Sequence, residues 1–285
     1  MSAAALAGSV AARPSRVRAI PGFGIAFGLT ALWLSVIVLV PLAALAIRPW
    51  ELGIGGVAAS LADPRVVAAL KLSFGTALVA AAIDVPLGLL VAWAIVRLRF
   101  PGRAVLDGAV DLPFALPTAV AGIALTALFA TNGWLGAPLE QVFGWKVAFT
   151  PAGIVVALAF VGLPFIVRTV EPVLRDLGRD AEEAAATLGA TRPQMLLRVV
   201  LPALAPSILT GFGLAFARAV GEYGSVIFIA GNMPMVSEIA PLLIVIRLEQ
   251  FDYAGAASVG LAMLVLSFAI LLLLALLQRA LRRGE

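Results

Sequence analysis

The sequence contains neither cysteine nor histidine. Without cysteine there are no disulfides and no thiolate chemistry, and without both residues the usual zinc sites and haem-type ligation are excluded. Serine–histidine catalysis falls with them. Charge is also scarce: Asp, Glu, Lys and Arg make up 13% of the 285 residues, against about 25% in a soluble globular domain. No phosphate loop of the form G-x-x-x-x-G-K followed by Ser or Thr occurs, so the chain is not expected to hydrolyse ATP itself. The expectation is a non-enzymatic chain with no cofactor or metal of its own.

Apolar surface is what the chain has in abundance. Hydrophobic residues reach 62% and the mean hydropathy is +1.08. A transmembrane α-helix needs about 20 mostly apolar residues, and six runs approach or exceed that: 22–47, 72–96, 112–130, 151–167, 203–230 and 254–277. The fourth is the shortest and has to borrow flanking residues to span. The expected fold is an all-α membrane protein of about six transmembrane helices, one domain over 22–279 between tails at 1–21 and 280–285. The run at 22–47 follows Arg13, Arg16 and Arg18 but is much longer than the about 7–15-residue core of a cleaved signal, so it is expected to remain as an anchor. "LPF" occurs at 112–114 and 163–165; it is too short for a repeat and is read as proline bending a helix at both places.

The pI of about 10.3 does not point to nucleic acid, because the basic residues form no patch interleaved with aromatics. They follow topology instead. With the N-terminus inside, fourteen fall in inner segments, among them Arg97, Arg99, Arg103, Arg168, Arg175, Arg179, Arg192, Arg198, Arg279, Arg282 and Arg283; only Arg48, Arg65, Lys146 and Arg247 fall outside. Both termini are therefore expected in the cytoplasm, and the largest cytoplasmic loop is 171–202.

That loop holds "EEAAATLGATRPQMLLRVVLP". Residues 182–188 are strong helix formers with Glu182 and Glu183 where the helix dipole favours acids. Gly189 suits the left-handed position that ends a helix, and Thr191 with Gln194 forms a capping box around Pro193. A second helix follows, with Met195, Leu196, Val199 and Val200 on one side, and the chain is expected to turn at Pro202 into the next span. Ala184, Ala185 and Ala186 let another surface approach the first helix closely, with Glu183 as a charge at its edge. The local physics leaves two readings, a docking element or a loop lying on the lipid surface.

Glu183-Ala184-Ala185, then Gly189, Val199, Leu201 and Pro202 at their offsets, resemble the EAA motif of ABC-importer permeases, with Val199 where the family usually has isoleucine. The stretches at 100–122, 162–174, 216–232 and 247–260 resemble the T-type permease of sulfate/thiosulfate importers, and the similarity covers nearly the whole chain beyond Pro21. The resemblance implies a type I ABC importer (MetI-like) permease fold in a bacterial inner membrane. It implies that the loop is a coupling helix seated on an ATP-binding subunit, present in two copies. It also implies a W-type permease as heterodimer partner and a periplasmic sulfate-binding protein. Molybdate/tungstate permeases share fold and motif. A secondary anion transporter, the alternative from another class, would show ion-coupling carboxylates and an inverted repeat; only Asp84 and Glu222 lie at depth, and no repeat is found.

Ionisable groups inside spans cost about 2.5–3.5 kcal/mol each on insertion scales and face a pathway or a partner. Lys71 stands at the outer start of the second run and Asp84 within it, where it is expected to be paired or wet. Arg218 and Glu222, four apart, can pair on one helical face; either Arg218 lines the anion route or the two form a packing or gating pair. Pro113 and Pro117 in the third run, and Gly211, Gly213, Gly221 and Gly224 in the fifth, place irregular backbone at membrane depth, where it lines a cavity or is packed in protein. The third and fifth spans are expected to flank the translocation path, with the glycines alternatively serving close packing. The stretch at 231–255 is expected to cap the path or touch a binding protein.

Overall fold

A computed structural model describes residues 23–282, with side chains to 279. The expected tails, with Arg13, Arg16, Arg18, Arg282 and Arg283, lie outside the described residues or side chains. Two compact units divide after Ala46. The described part of the first is an apolar helix: α1 (Phe23–Leu34), a π-helical turn Ser35–Leu39, and α2 (Val40–Ile47), with no buried residue in any of them. The π turn has a local cause. Pro41 brings no N–H and crowds the preceding turn, and the helix widens so that Val40 N–H reaches Ser35 O.

The second unit opens on a 3-10 turn, Arg48–Leu52, followed by α3 (Gly53–Ala62) and α4 (Pro64–Arg97), whose N-cap Asp63 accepts from Arg65 N–H. Then come α5 (Arg103–Val110), α6 (Leu112–Ala115), α7 (Thr118–Phe129) and α8 (Gly136–Phe143). Next are α9 (Pro151–Asp176), α10 (Asp180–Thr187) and α11 (Arg192–Met195). A second π turn, Leu196–Val200, leads into α12 (Leu201–Val220), and α13 (Val226–Ile229), α14 (Ala240–Glu249) and α15 (Tyr253–Arg282) complete the described residues.

The core is the contact of α4, α9 and α12. Ala77, Ala80, Ala81 and Ala92 of α4 are buried against Ile154, Leu158, Ile166 and Val170 of α9 and Ala215, Phe216 and Ala219 of α12. Small residues set the approach: a methyl at Gly88 would strike Ile166, and one at Gly211 would strike Thr169. Hydrocarbon offers helices no hydrophobic drive to associate, so such close packing holds them together.

Each end of this core is fastened by charge. At one end Arg65 binds Glu238 through Nε (2.7 Å) and Nη2 (2.6 Å), with Glu238 2% exposed. Ala240 N–H donates to Ser73 Oγ at 2.8 Å, and Arg247 reaches Ser60 at 2.7 Å. The stretch at 231–255 is thus tied down along α3 and α4. At the arginine-rich end Arg168 holds Asp111 through both nitrogens (2.9 and 2.7 Å), Asp107 at 2.7 Å and Glu171 at 2.8 Å. This network fixes α5 and the start of α6 to the last turns of α9.

Five helical stretches, Phe23–Ala62, Pro64–Arg97, Pro151–Asp176, Arg192–Val220 and Tyr253–Arg279, are long and apolar enough to cross a membrane. The fourth expected run does borrow flanking residues, extending to Asp176. Two expected spans are corrected. The third is interrupted at Leu116–Pro117, because Pro117 cannot donate and holds its predecessor extended (φ −87°, ψ 136° at Leu116). The fifth ends at Val220, and only α13 resumes after Gly221–Ser225. The third run still crosses the core: Asp107 and Asp111 lie at one end of α9, while Phe149 N–H donates to Ile229 O at 2.7 Å beside its other end. With α7 only about 18 Å long, the crossing is made by interrupted pieces.

Candidate functional site

The loop between α9 and α12 is built by local rules. Gly178 (φ +63°) ends α9, and Gly189 (φ +81°) ends α10, both in the left-handed region. Thr191 N–H donates to Gln194 Oε1 at 2.9 Å in the expected capping box. After Met195, however, the chain does not turn at Pro202. Leu201 N–H reaches back to Leu196 O, and the π turn carries the helix from Arg192 through to Val220. The wider turn accommodates the missing donor and ring of Pro202.

The two glutamates that open α10 separate. Glu182 turns inward to Arg97 at the end of α4 (2.8 Å), with side-chain exposures of 14% and 8%. Arg97 also donates to Gly178 O, lies 5.8 Å over the Trp93 ring, and its carbonyl accepts from Arg179 Nη2 at 3.0 Å. Glu183 points to solvent and makes no ion pair among the described residues. Of the three alanines, Ala184 and Ala186 are exposed but Ala185 is buried, 8% exposed; the face open to another surface is narrower than expected. Gly189 and Pro202 are exposed, and Val199 and Leu201 half-buried. Between α10 and the π turn lies a cleft of about 320 Å³ bordered by Ala185, Leu188, Gly189, Gln194, Arg198 and Val199.

At membrane depth, Arg218 Nη1 lies 2.5 Å from Glu222 Oε2. The other Glu222 oxygen accepts from Ser225 N–H (2.9 Å) and Oγ (3.0 Å). The carboxylate therefore caps the turn into α13 as well as pairing with Arg218, a role that spacing alone did not disclose. The ion-pair geometry is present. The breaks of the third and fifth runs meet: a methyl at Gly122 would strike the Ser225 backbone, and one at Gly224 would strike Thr118. Pro117 is exposed at the first break and Pro113 half-buried in α6. Gly211 and Gly224 serve close packing, whereas Gly221 has open space around it. Asp84 departs from expectation. It is 1% exposed, neither oxygen has a hydrogen-bond partner among the described residues, and Oδ2 lies against Gly162 of α9.

Arg97 and Arg168 were legible only as topology markers. Asp107 and Asp111, four apart ahead of "LPF", are the signal that could have revealed the Arg168 network, since that spacing puts two carboxylates on one face.

A profile of binding-protein-dependent transport system inner membrane components matches residues 84–283. The sulfate transport system permease protein CysT of Salmonella typhimurium is 46% identical over 254 residues, covering 89% of this chain and 91% of that one. The protein of the same description from Escherichia coli K12 gives the same figures, and that of Synechocystis sp. is 46% identical over 89% of this chain and 88% of its own. Among solved structures, a bacterial ABC transporter involved in the import of the acidic polysaccharide alginate superposes with a TM-score of 0.74 at 16% identity, covering 91% of this chain and 96% of that one. An alginate ABC transporter in complex with its alginate-bound periplasmic protein gives 0.72 at 18% identity, covering 88% and 91%. At such identities the likeness is one of fold.

Proposed function

Since the chain belongs to the family of binding-protein-dependent transport system inner membrane components, we propose that it is the T-type permease subunit of an ATP-driven sulfate/thiosulfate importer. It is an all-α, multi-pass inner-membrane protein with the type I ABC importer permease fold. It works with an ATP-binding subunit in two copies, with a W-type permease that completes the translocation path, and with a periplasmic sulfate-binding protein. Both termini and the loop 171–202 face the cytoplasm, and the partner hydrolyses ATP. The observation that carries the reading is α10 itself: a short helix offering Glu183, Ala184 and Gly189 to solvent while Glu182 is clamped by Arg97 to the core.

In this reading the ATP-binding subunit grips α10, with Glu183, Ala184, Ala185, Gly189, Val199, Leu201 and Pro202 as the coupling residues. Motion of α10 is passed to α4 through the ion pair and to α12 through the unbroken helix from Arg192. The joined breaks near Pro117 and Gly221–Ser225, with Pro113, Arg218 and Glu222, border the path. Arg218 is half-exposed and already neutralised by Glu222, which suits a surface that passes an anion without holding it, since a deep well would slow release. At the other end the exposed Met233, Met235 and Phe251 offer the binding protein a contact surface.

The test uses the absence of cysteine. A single cysteine at Ala184 or Gly189, in the assembled complex, is expected to cross-link to the ATP-binding subunit in at least one nucleotide state. Vesicles holding the full complex, loaded with ATP and supplied with binding protein, should take up labelled sulfate with little competition from molybdate. Uphill uptake by this chain alone, without nucleotide, or no cross-link in any nucleotide state, would sink the proposal.

A further inference from the structure

Beneath α10, on the side facing α4, is a cavity of about 790 Å³, within the roughly 300–1,000 Å³ typical of sites that hold a bound small molecule. Its wall is hydrocarbon: Leu89, Leu90 and Trp93 of α4, Leu196 of the π turn and Leu204 of α12. Among the described residues, Arg192 is the one charged side chain lining that wall and no acid lines it, and Arg192 makes no ion pair. Leu90 is 67% exposed, so the cavity opens sideways, along the lipid-facing surface of α4. Trp93 belongs to the residue type that marks the membrane–water interface.

We propose that this cavity is an anionic-phospholipid site in the cytoplasmic leaflet, with an acyl chain along Leu89, Leu90, Trp93 and Leu204 and the phosphate on Arg192. The inference rests on the inward orientation of the loop given above. An arginine fork matches phosphate oxygens in charge and geometry, and basic pockets between transmembrane helices on the cytoplasmic side hold acidic headgroups. The chain's own N-terminal segment does not suit the site: residues 1–22 carry Arg13, Arg16 and Arg18 and no acid, and would bring like charge to Arg192. A lipid here sits directly under the coupling helix, so its presence bears on how firmly α10 is held.

Native mass spectrometry of the assembled complex, exchanged into phosphatidylglycerol or phosphatidylcholine of identical chains, tests this without reference to transport. Wild type is expected to retain phosphatidylglycerol about fivefold better, the worth of one arginine at an anionic surface. Arg192→Gln should remove that preference and Arg192→Lys keep most of it. Arg198→Gln, a change outside the cavity wall, should leave it intact. Leu90→Trp, which fills the cavity, should release both lipids. Equal retention of the two lipids by wild type, or an unchanged preference in Arg192→Gln or Leu90→Trp, would overturn the proposal. So would efficient cross-linking of a cysteine at Leu90 to the second permease, which would mean that a protein helix covers the cavity. Sulfate uptake enters none of these readings, so a failed lipid site and a failed transport assignment remain distinguishable.

Discussion

Asp84 of α4 lies buried against Gly162 of α9, and Gly162 in turn lies beside Ala215 of α12. A carboxylate at the centre of a membrane helix costs about 2.5–3.5 kcal/mol even on the lenient insertion scales, and among the described residues no partner offsets it. Gly162 is bound to Asp84 by shape, since a methyl on Gly162 would collide with Oδ2 and also lie 3.5 Å from the Ala215 methyl. Overpacking of this kind typically costs about 1–3 kcal/mol. Gly162→Ala is therefore expected to lower the thermal midpoint of the purified complex. Asp84→Ala, which removes the obstructing oxygen, should relieve most of that loss in the double variant. Asp84→Asn, which keeps the volume and removes the charge, should leave the midpoint level or higher. A double variant no better than Gly162→Ala alone would show that the two residues do not share the space. Arg218 is a second case at this scale. Arg218→Ala leaves the Glu222 carboxylate buried at 3% exposure with only its Ser225 bonds, and uptake is expected to fall by tenfold or more while the complex still assembles; normal uptake in the assembled variant would remove Arg218 from the route.

Features decided within a few residues were legible in the sequence at the scale of elements. The end of α10 at Gly189 and the Thr191–Gln194 capping box follow from side chains that satisfy neighbouring backbone groups. Others depended on partners far along the chain. Nothing in "EE" says that Glu182 turns inward and Glu183 outward; Arg97, 85 positions earlier, decides it. Proline and glycine marked irregular backbone in the third and fifth runs, and the interruptions at Leu116–Pro117 and Gly221–Ser225 fall at those residues, but an apolar run does not say where its helix stops and resumes. The π turn that carries the helix through Pro202 was hidden altogether. The Arg97–Glu182 pair gives this scale its prediction. Removing one partner of a buried pair costs about 3–5 kcal/mol because the other charge is left desolvated, and here the loss falls on the seat of α10. Arg97→Gln or Glu182→Gln should cut sulfate uptake at least tenfold while the partner continues to hydrolyse ATP. Exchanging the two residues should restore part of the uptake. Undiminished transport in both single variants would show that α10 is held by other means.

Across the whole molecule, arginine placement and helix connectivity make one statement that can be tested without any partner assignment. Val105 on α5 (76% exposed) precedes the interrupted third span, and Trp134 (90% exposed) follows it. Leu188 in the loop between α9 and α12 is 88% exposed, and Phe251 before α15 is 78% exposed. If α6 and α7 together complete one crossing despite the break, Val105 and Leu188 lie on one side of the membrane and Trp134 and Phe251 on the other. The charge bias assigns the first pair to the cytoplasm. Because the chain has no cysteine, a single cysteine at each position can be labelled without background by a membrane-impermeant maleimide. In intact spheroplasts, cysteines at 134 and 251 should label within minutes, and those at 105 and 188 only after permeabilisation. Labelling of 105 and 134 from the same side would mean that the third run enters and leaves by one face, giving five crossings and termini on opposite sides. Labelling of 188 in intact cells would reverse the molecule and put α10 beyond the reach of any cytoplasmic ATP-binding subunit.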